Sequence, residues 1–169
     1  MHPSKRIHAA KSQKLGGKQV VLAVTGSIAA VETVKLAREL IRHGAEVVPV
    51  LSKDAAEIIH PNALQFATGR DPIMRLDGSV PYVELVGTDG TADLVLIAPA
   101  TSNTVSKVAM GIDDTVVTTF AQNALGAGIP ILIAPATIGA SWPSAWSSSS
   151  RGWRRIRRSS RTSRRSWSG

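Results

Sequence analysis

The feature that most constrains the fold is a pair of short apolar runs separated by a helical pattern. Gln19-Val20-Val21-Leu22-Ala23-Val24 is rich in β-branched residues and unbroken by polar ones. A run of that kind suits a strand buried on both faces, where an alternating pattern would suit a strand with one wet face. It ends at Thr25-Gly26-Ser27, and from Ile28 to Arg42 the spacing turns helical. Ile28, Val31, Leu36, Leu40 and Ile41 fall near one face, while Glu32, Lys35, Arg38, Glu39 and Arg42 supply a wet one. Gly44 offers a left-handed stop. A second strand is expected from Glu46 to Leu51, where Pro49 cannot donate to a ladder and so argues for an edge or a bulge. Strand, helix and strand in about 30 residues make a βαβ unit, with parallel pairing and a right-handed crossover.

The pattern continues down the chain. Lys53 to Ile59 reads as a short helix stopped by Pro61, and Gly69 to Gly90 as a turn-rich stretch with an extended piece near Val80 to Val86. A third strand is expected at Asp93 to Ala98, then a helix running to Met110 and closed by Gly111. Asp113 to Leu125 reads as another helix and Pro130 to Ala134 as another strand. The expected fold is α/β: a doubly wound, flavodoxin- or Rossmann-like, mostly parallel sheet in three layers. Residues 1–17 read as a flexible lead, 18–140 as the domain and 141–169 as a separate tail.

Composition enters because the overall charge misleads. The 169 residues carry a formal net charge of +8, which suggests a nucleic-acid binder. Through Ala140, however, basic and acidic side chains balance. The last 29 residues hold eight Arg, 11 Ser and all four Trp, with no acid. That composition cannot finish a parallel sheet and reads as a disordered basic extension. So abrupt a shift directly after a strand also suits a displaced reading frame, which sequencing the encoding DNA tests. No cysteine is present, which excludes a disulfide framework, thiolate metal sites and a cysteine nucleophile from this chain. No run approaches the ~20 apolar residues of a membrane-spanning helix, and the polar N-terminus lacks the core of a secretory signal. The expected location is the cytoplasm.

In a doubly wound sheet the ligand lies beyond the carboxyl ends of the strands. The first such end, Thr25-Gly26-Ser27-Ile28-Ala29-Ala30, places a glycine, a hydroxyl and small residues where a helix opens, leaving amides free to face an anion. The second, Leu51-Ser52-Lys53, adds a hydroxyl and a cation. The third is Thr101-Ser102-Asn103-Thr104, four hydrogen-bonding side chains in a row. Gly26 has no partners at G-x-G-x-x-G spacing, and no G-x-x-x-x-G-K-[ST] occurs, so a dinucleotide fingerprint and a P-loop are both absent. A mononucleotide phosphate at Gly26-Ser27 fits better. Each end alone also reads as ordinary helix capping; their conjunction favours a ligand. His2, His8, His43 and His60 read as structural or solvated, and Asp113-Asp114 as helix N-terminal charge.

These residues resemble the homo-oligomeric flavin-containing cysteine decarboxylases and, among them, the phosphopantothenoylcysteine decarboxylase domains of archaeal coenzyme A biosynthesis. Val24-Thr25-Gly26-Ser27-Ile28-Ala29-Ala30 is similar to the family's phosphate-binding turn. Pro99-Ala100-Thr101-Ser102-Asn103-Thr104 is similar to its P-A-S-A-N-T signature, and Gly111-Ile112-Asp113-Asp114 to the G-I-A-D segment that follows. The likeness runs from about Lys18 to Ala136. It implies bound FMN, held by Gly26, Ser27, Ile28, Ser52, Thr101, Ser102, Asn103 and Thr104. The implied reaction is oxidative decarboxylation of 4′-phosphopantothenoylcysteine to 4′-phosphopantetheine. Oxidation of the cysteine end gives a thioaldehyde whose electron-poor carbon releases CO2 easily, and the electrons are then returned. The implied partners are further copies of the chain, in a trimer or a multiple of one, and a phosphopantothenate-cysteine ligase half. No metal is implied.

The sequence departs from the family in three places. The family's catalytic histidine lies in an H-[IV]-E-L segment, and here the matching residues are Tyr82-Val83-Glu84-Leu85, so Tyr82 takes that position with a phenol, a poorer base than imidazole. Its P-x-M-N motif falls at Pro135-Ala136-Thr137-Ile138, without the asparagine. Its substrate lid is replaced by the Arg/Ser/Trp tail. Two alternatives therefore stand beside the decarboxylase: a flavoprotein of the same fold lacking that activity, and nucleic-acid binding through the tail.

Overall fold

The computed structural model describes residues 2–136; the tail expected at 141–169 and any nucleic-acid role given to it, with residues 137–140, lie outside them. The strands β1 (Gln19–Val24), β2 (Glu46–Leu51), β3 (Leu94–Ala100) and β4 (Ile131–Pro135) form a four-stranded sheet in the order β2-β1-β3-β4. All its pairings are parallel. Alternate residues of the central strands serve two separate cores. Val21, Ala23, Val95 and Ile97 face one side and pack with Phe120. Val20, Leu22, Val24, Leu96 and Ala98 face the other and pack with Ala37, Ile41 and Leu64. This is the three-layer, doubly wound architecture expected, and it explains why β1 carries no polar position after Gln19: both of its faces are covered.

Helices α1 (Pro3–Ile7), α2 (Thr33–Arg42), α3 (Lys53–Ala56) and α4 (Pro61–Thr68) precede α5 (Pro81–Val86), α6 (Ser102–Met110) and α7 (Val116–Ala127). Pro49 lies on an edge strand, as expected. Its carbonyl accepts from the Ile73 N–H at 2.9 Å, so the missing Pro49 N–H points away from β1 and no ladder bond is lost.

Five expectations are corrected. The helix expected at Ile28 to Arg42 begins as a 3-10 segment, Ile28–Glu32, before α2; Thr33 directs both its N–H and its hydroxyl to the Ala30 carbonyl at the join. Pro61 does not end a helix but starts α4, with His60 Nδ1 accepting from Asn62 N–H at 3.2 Å. A proline at the first helical position loses only an N–H that had no partner in the helix. The extended piece expected at Val80 to Val86 is α5, again opened by a proline. The lead is not a free strap: α1 is capped by His2, and Ala9, Lys11 and Leu15 donate their N–H groups to Ile41, Arg42 and His43 carbonyls, each at 2.9 Å. Those carbonyls end α2; the Ile41 carbonyl also accepts from Gly44 N–H at 2.9 Å, while Arg42 and His43 carbonyls find their partners in the lead. The helix expected from Asp113 starts later, at Val116, because Thr115 and Thr118 form a reciprocal cap there.

Candidate functional site

Three chain crossings gather at the carboxyl edge of the sheet, and hydrogen bonds tie them to one another. The Ser52 N–H donates to the Val24 carbonyl at 3.0 Å, joining the ends of β1 and β2. Thr25 joins the ends of β1 and β3. Its N–H reaches the Pro99 carbonyl at 3.2 Å, its hydroxyl donates to the same oxygen at 2.8 Å, and that hydroxyl accepts from Thr101 N–H at 2.9 Å. The Ala136 N–H donates to the Ala100 carbonyl at 2.9 Å, which brings the end of β4 alongside. Gly26, Ser27, Ile28, Ser52 and Thr101 to Thr104 therefore occupy one edge.

Each turn is shaped by local chemistry. Ser27 caps the 3-10 segment weakly, accepting from Ala29 N–H at 3.4 Å, and its own N–H folds back onto the Thr25 carbonyl at 2.8 Å. Ser52 caps α3 through Ala55 N–H at 3.1 Å. Thr101 caps α6 through Thr104 N–H at 3.3 Å, and the two hydroxyls bond each other at 3.0 Å. A Cβ on Gly26 would lie 2.5 Å from Asp54 Cβ, so α3 packs directly against the turn and only glycine fits. The site is almost uncharged. The acids whose pKa values are displaced, Glu39, Asp77 and Asp93, contribute nothing to these turns. What remains is hydroxyls and amides, with Lys53 and Asp54 opening α3.

Tyr82 lies on the first turn of α5 and packs against the core that contains Phe120. The far end of α5 is fastened at the opposite edge: Glu84 and Leu85 carbonyls accept from Thr91 and Ala92, and the Thr91 hydroxyl donates to Gln19 at 2.6 Å, where β1 begins. Among the described residues no hydrogen bond links Tyr82 to the strand-end cluster. The histidines act as local ties: His2 and His60 cap helices, and His43 bonds Ser12 at 2.7 Å. Asp114 pairs with Lys107 at 2.7 Å, and Asp113 accepts from the Thr119 hydroxyl. An open pocket of about 490 Å³ lies at the amino edge between α1 and β2, lined in part by Lys5, His8, Glu46 and Arg70. Arg70 is already paired there with Glu46 at 2.6 Å.

Sequence reasoning placed Thr25 in the first strand end but gave it no role. Its signal was a hydroxyl closing an otherwise apolar strand, a position where valine would have served burial alone.

Comparison with known proteins settles the family. Residues 8–149 match the Flavoprotein family. The chain belongs to that family. It is 58% identical over 137 residues to the coenzyme A biosynthesis bifunctional protein CoaBC of Thermococcus kodakarensis, covering 80% of this chain and 34% of the relative. It is 43% identical over 136 residues to CoaBC of Methanocaldococcus jannaschii, covering 80% and 33%. The flavoprotein chain thus spans about a third of the length of these relatives. Among solved structures it is similar to the FMN-dependent cysteine decarboxylase SpaF, with a TM-score of 0.65 at 27% identity, covering 83% of this chain and 78% of that one. It is also similar to a PPC decarboxylase mutant complexed with pantothenoylaminoethenethiol, with a TM-score of 0.57 at 26% identity, covering 71% and 67%. No described helix is long and apolar enough to cross a membrane.

Proposed function

We propose that this flavoprotein binds FMN at the carboxyl edge of its sheet and catalyses the oxidative decarboxylation of 4′-phosphopantothenoylcysteine in coenzyme A synthesis. The observation that carries the reading is the tying together of three strand ends by Ser52 and Thr25, which turns three separate caps into one cradle.

The residues present fit a phosphate monoester. The amides of Gly26 and Ile28 have no acceptor among the described residues, and Ser27 holds its cap only at 3.4 Å, leaving its hydroxyl free to turn. Small side chains at Gly26, Ala29 and Ala30 leave the backbone approachable. Ser52 and Thr101 to Thr104 line the neighbouring ends and supply donors and acceptors for the rest of the cofactor. Bound FMN would supply the two-electron oxidation that makes loss of CO2 easy. The protein's own part is to hold the phosphate on amides, orient the ring against the hydroxyl row and keep water from the reacting carbon.

The relatives' printed role in coenzyme A biosynthesis supports this substrate class, and their being bifunctional supports a second, ligase-type function in the part of those proteins that this chain does not span. Exposed apolar side chains beside the turn, Ile28 and Val31, and at the end of α6, Met110 and Ile112, support contact with further copies of the chain near the site. Assembly as a trimer or a multiple of one in the cytoplasm completes the reading.

One observation favours a second reading, a flavoprotein that does not decarboxylate. Tyr82 stands where the resemblance expects histidine, and its side chain packs against the core that contains Phe120. Incubation with FMN, removal of free cofactor and a visible spectrum test the binding; CO2 release from 4′-phosphopantothenoylcysteine then separates the two readings. A colourless protein overturns both. A yellow protein without CO2 release leaves the second.

A further inference from the structure

We infer that Thr25 is a positioning residue for the cofactor: its buried hydroxyl stands in for a backbone carbonyl and so sets the spacing between the Gly26-Ser27 turn and the cap of α6. The inference rests on the FMN reading above.

The argument starts from how a parallel ladder continues. The regular β1–β3 register runs from Val20 opposite Leu94 to Ala23 opposite Ile97. Carried two residues further it would set Thr25 opposite Pro99, but β3 is irregular between Ile97 and Ala100, and the bond from Thr25 N–H to the Pro99 carbonyl sets Thr25 opposite Ala100. In a parallel pair, a residue donates its N–H to one neighbour and offers its carbonyl to the N–H two positions later on the same strand. The Thr25 N–H follows this rule, reaching the Pro99 carbonyl at 3.2 Å. The next donor is Thr101 N–H, which would look for the Thr25 carbonyl. That carbonyl has turned away and accepts Ser27 N–H at 2.8 Å, the bond that closes the turn.

The side chain fills the gap. Thr25 Oγ1 accepts from Thr101 N–H at 2.9 Å and sends its own proton to the Pro99 carbonyl at 2.8 Å. One hydroxyl therefore allows two things that compete for one carbonyl: a sharp turn after β1 and a paired end on β3. Thr25 is only 2% exposed, so water cannot readily substitute for either bond. The consequence reaches the cradle, because Ser27 and Thr101 are the N-caps that follow the two strands. Without the bridge, either the turn opens to return the carbonyl to Thr101 or the Thr101 N–H is left unpaired. In both cases the Gly26 and Ile28 amides lose their fixed relation to Thr101 to Thr104.

The test compares Thr25→Val, which keeps shape and burial but removes the hydroxyl, with Thr25→Ser, which keeps the hydroxyl. FMN affinity is read by fluorescence titration of the whole chain at a temperature well below each variant's melting point. Thr25→Val is expected to weaken FMN about tenfold or more, the scale of one unpaired buried donor, and Thr25→Ser to stay within about threefold of wild type. Equal affinity of wild type and Thr25→Val overturns the inference, as does a Thr25→Ser loss as large as that of Thr25→Val. A wild-type chain that takes up no FMN overturns the underlying cofactor reading instead. Should Thr25→Val fail to fold, hydrogen exchange on the wild-type apoprotein still decides. A protected Thr101 amide supports the bridge, and exchange as fast as that of an exposed loop amide overturns it.

Discussion

At the carboxyl edge of the sheet the strands run into Thr25, Ser52 and Thr101, and the bonds there are made by neutral hydroxyls and amides. At the amino edge the strands begin among ion pairs, Lys18 with Asp93 at 2.8 Å and Arg70 with Glu46 at 2.6 Å, and the lead is laced onto the end of α2. The same sheet thus presents polar groups with spare capacity at one edge and polar groups already committed to each other at the other. The difference shows where binding can be built. A site for an anion needs donors whose present partners are weak or absent, as with Ser27, Gly26 and Ile28. A closed ion pair has nothing left to offer and contributes only modest stability at the surface.

The comparison breaks most visibly at Gly26. Gly26→Val would drive a side chain into α3, where Asp54 Cβ stands 2.5 Å from the added Cβ. Because the obstruction includes backbone, the expected loss is about 1–3 kcal/mol of stability together with FMN binding. Thermal unfolding and cofactor titration check both; a stable, yellow Gly26→Val protein would contradict the placement of the turn. Ser27→Phe separates the two effects. Its cap bond is weak at 3.4 Å, so stability should fall by less than about 1 kcal/mol. FMN affinity should fall roughly a hundredfold, because the ring covers the amides. Unchanged flavin content would remove the phosphate from this turn.

How much of this was legible in the sequence depends on which partner a residue answers to. The apolar run of β1 and the exclusion of Pro49 from a central ladder depend on local chemistry and burial, and both could be read directly. Gly111 and Gly44 could be read as helix stops for the same reason: both adopt positive φ, 72° and 96°. The prolines were harder. Pro61 and Pro81 are compatible with ending a helix or beginning one, and the choice is made by the preceding residue's geometry, which sequence spacing does not show. The lead was harder still, because its partners are the carbonyls of α2 about 30 residues away, and a backbone acceptor leaves no mark on the sequence. In the site, Gly26, Ser27, Ser52 and Thr101 were visible as caps. Thr25 was not, since its partners Pro99 and Thr101 lie across the strand pair.

The amino edge gives the smaller effects. Removing residues 2–14 should release the Arg42 carbonyl at the end of α2, take one of two partners from the Ile41 carbonyl and uncover part of the core around Ile41 and Leu64. A loss of about 1–2 kcal/mol is expected from the lost bonds, visible as a lower melting temperature. FMN affinity should stay within about twofold of wild type, since the lead lies at the far edge from the cradle. A matching loss of FMN affinity would mean that the two edges are coupled, contrary to their separation in the fold.

The smallest effect tests the ion pairs themselves. The hydrogen bond from Lys18 is the chief cause holding the Asp93 carboxyl below the ordinary aspartate range; the Gln19 N–H, donating at 2.8 Å, adds to it. A carboxyl whose folded pKa is depressed contributes stability above its unfolded pKa, near 3.9, and loses that contribution as pH falls through the lower folded value. The pair is exposed and screened, so the contribution at neutral pH should be less than about 1 kcal/mol. Asp93→Asn should therefore be slightly less stable than wild type at pH 7, and the gap should close as the pH drops below that of the free carboxyl. Raising the salt concentration at pH 7 should narrow the same gap, because Lys18 meets Asp93 in water. Denaturant melts of both proteins across that acid range check the sign. A gap that widens toward low pH would show that Asp93 is held by something other than its charge, and the amino edge would then resemble the carboxyl edge more than its ion pairs suggest.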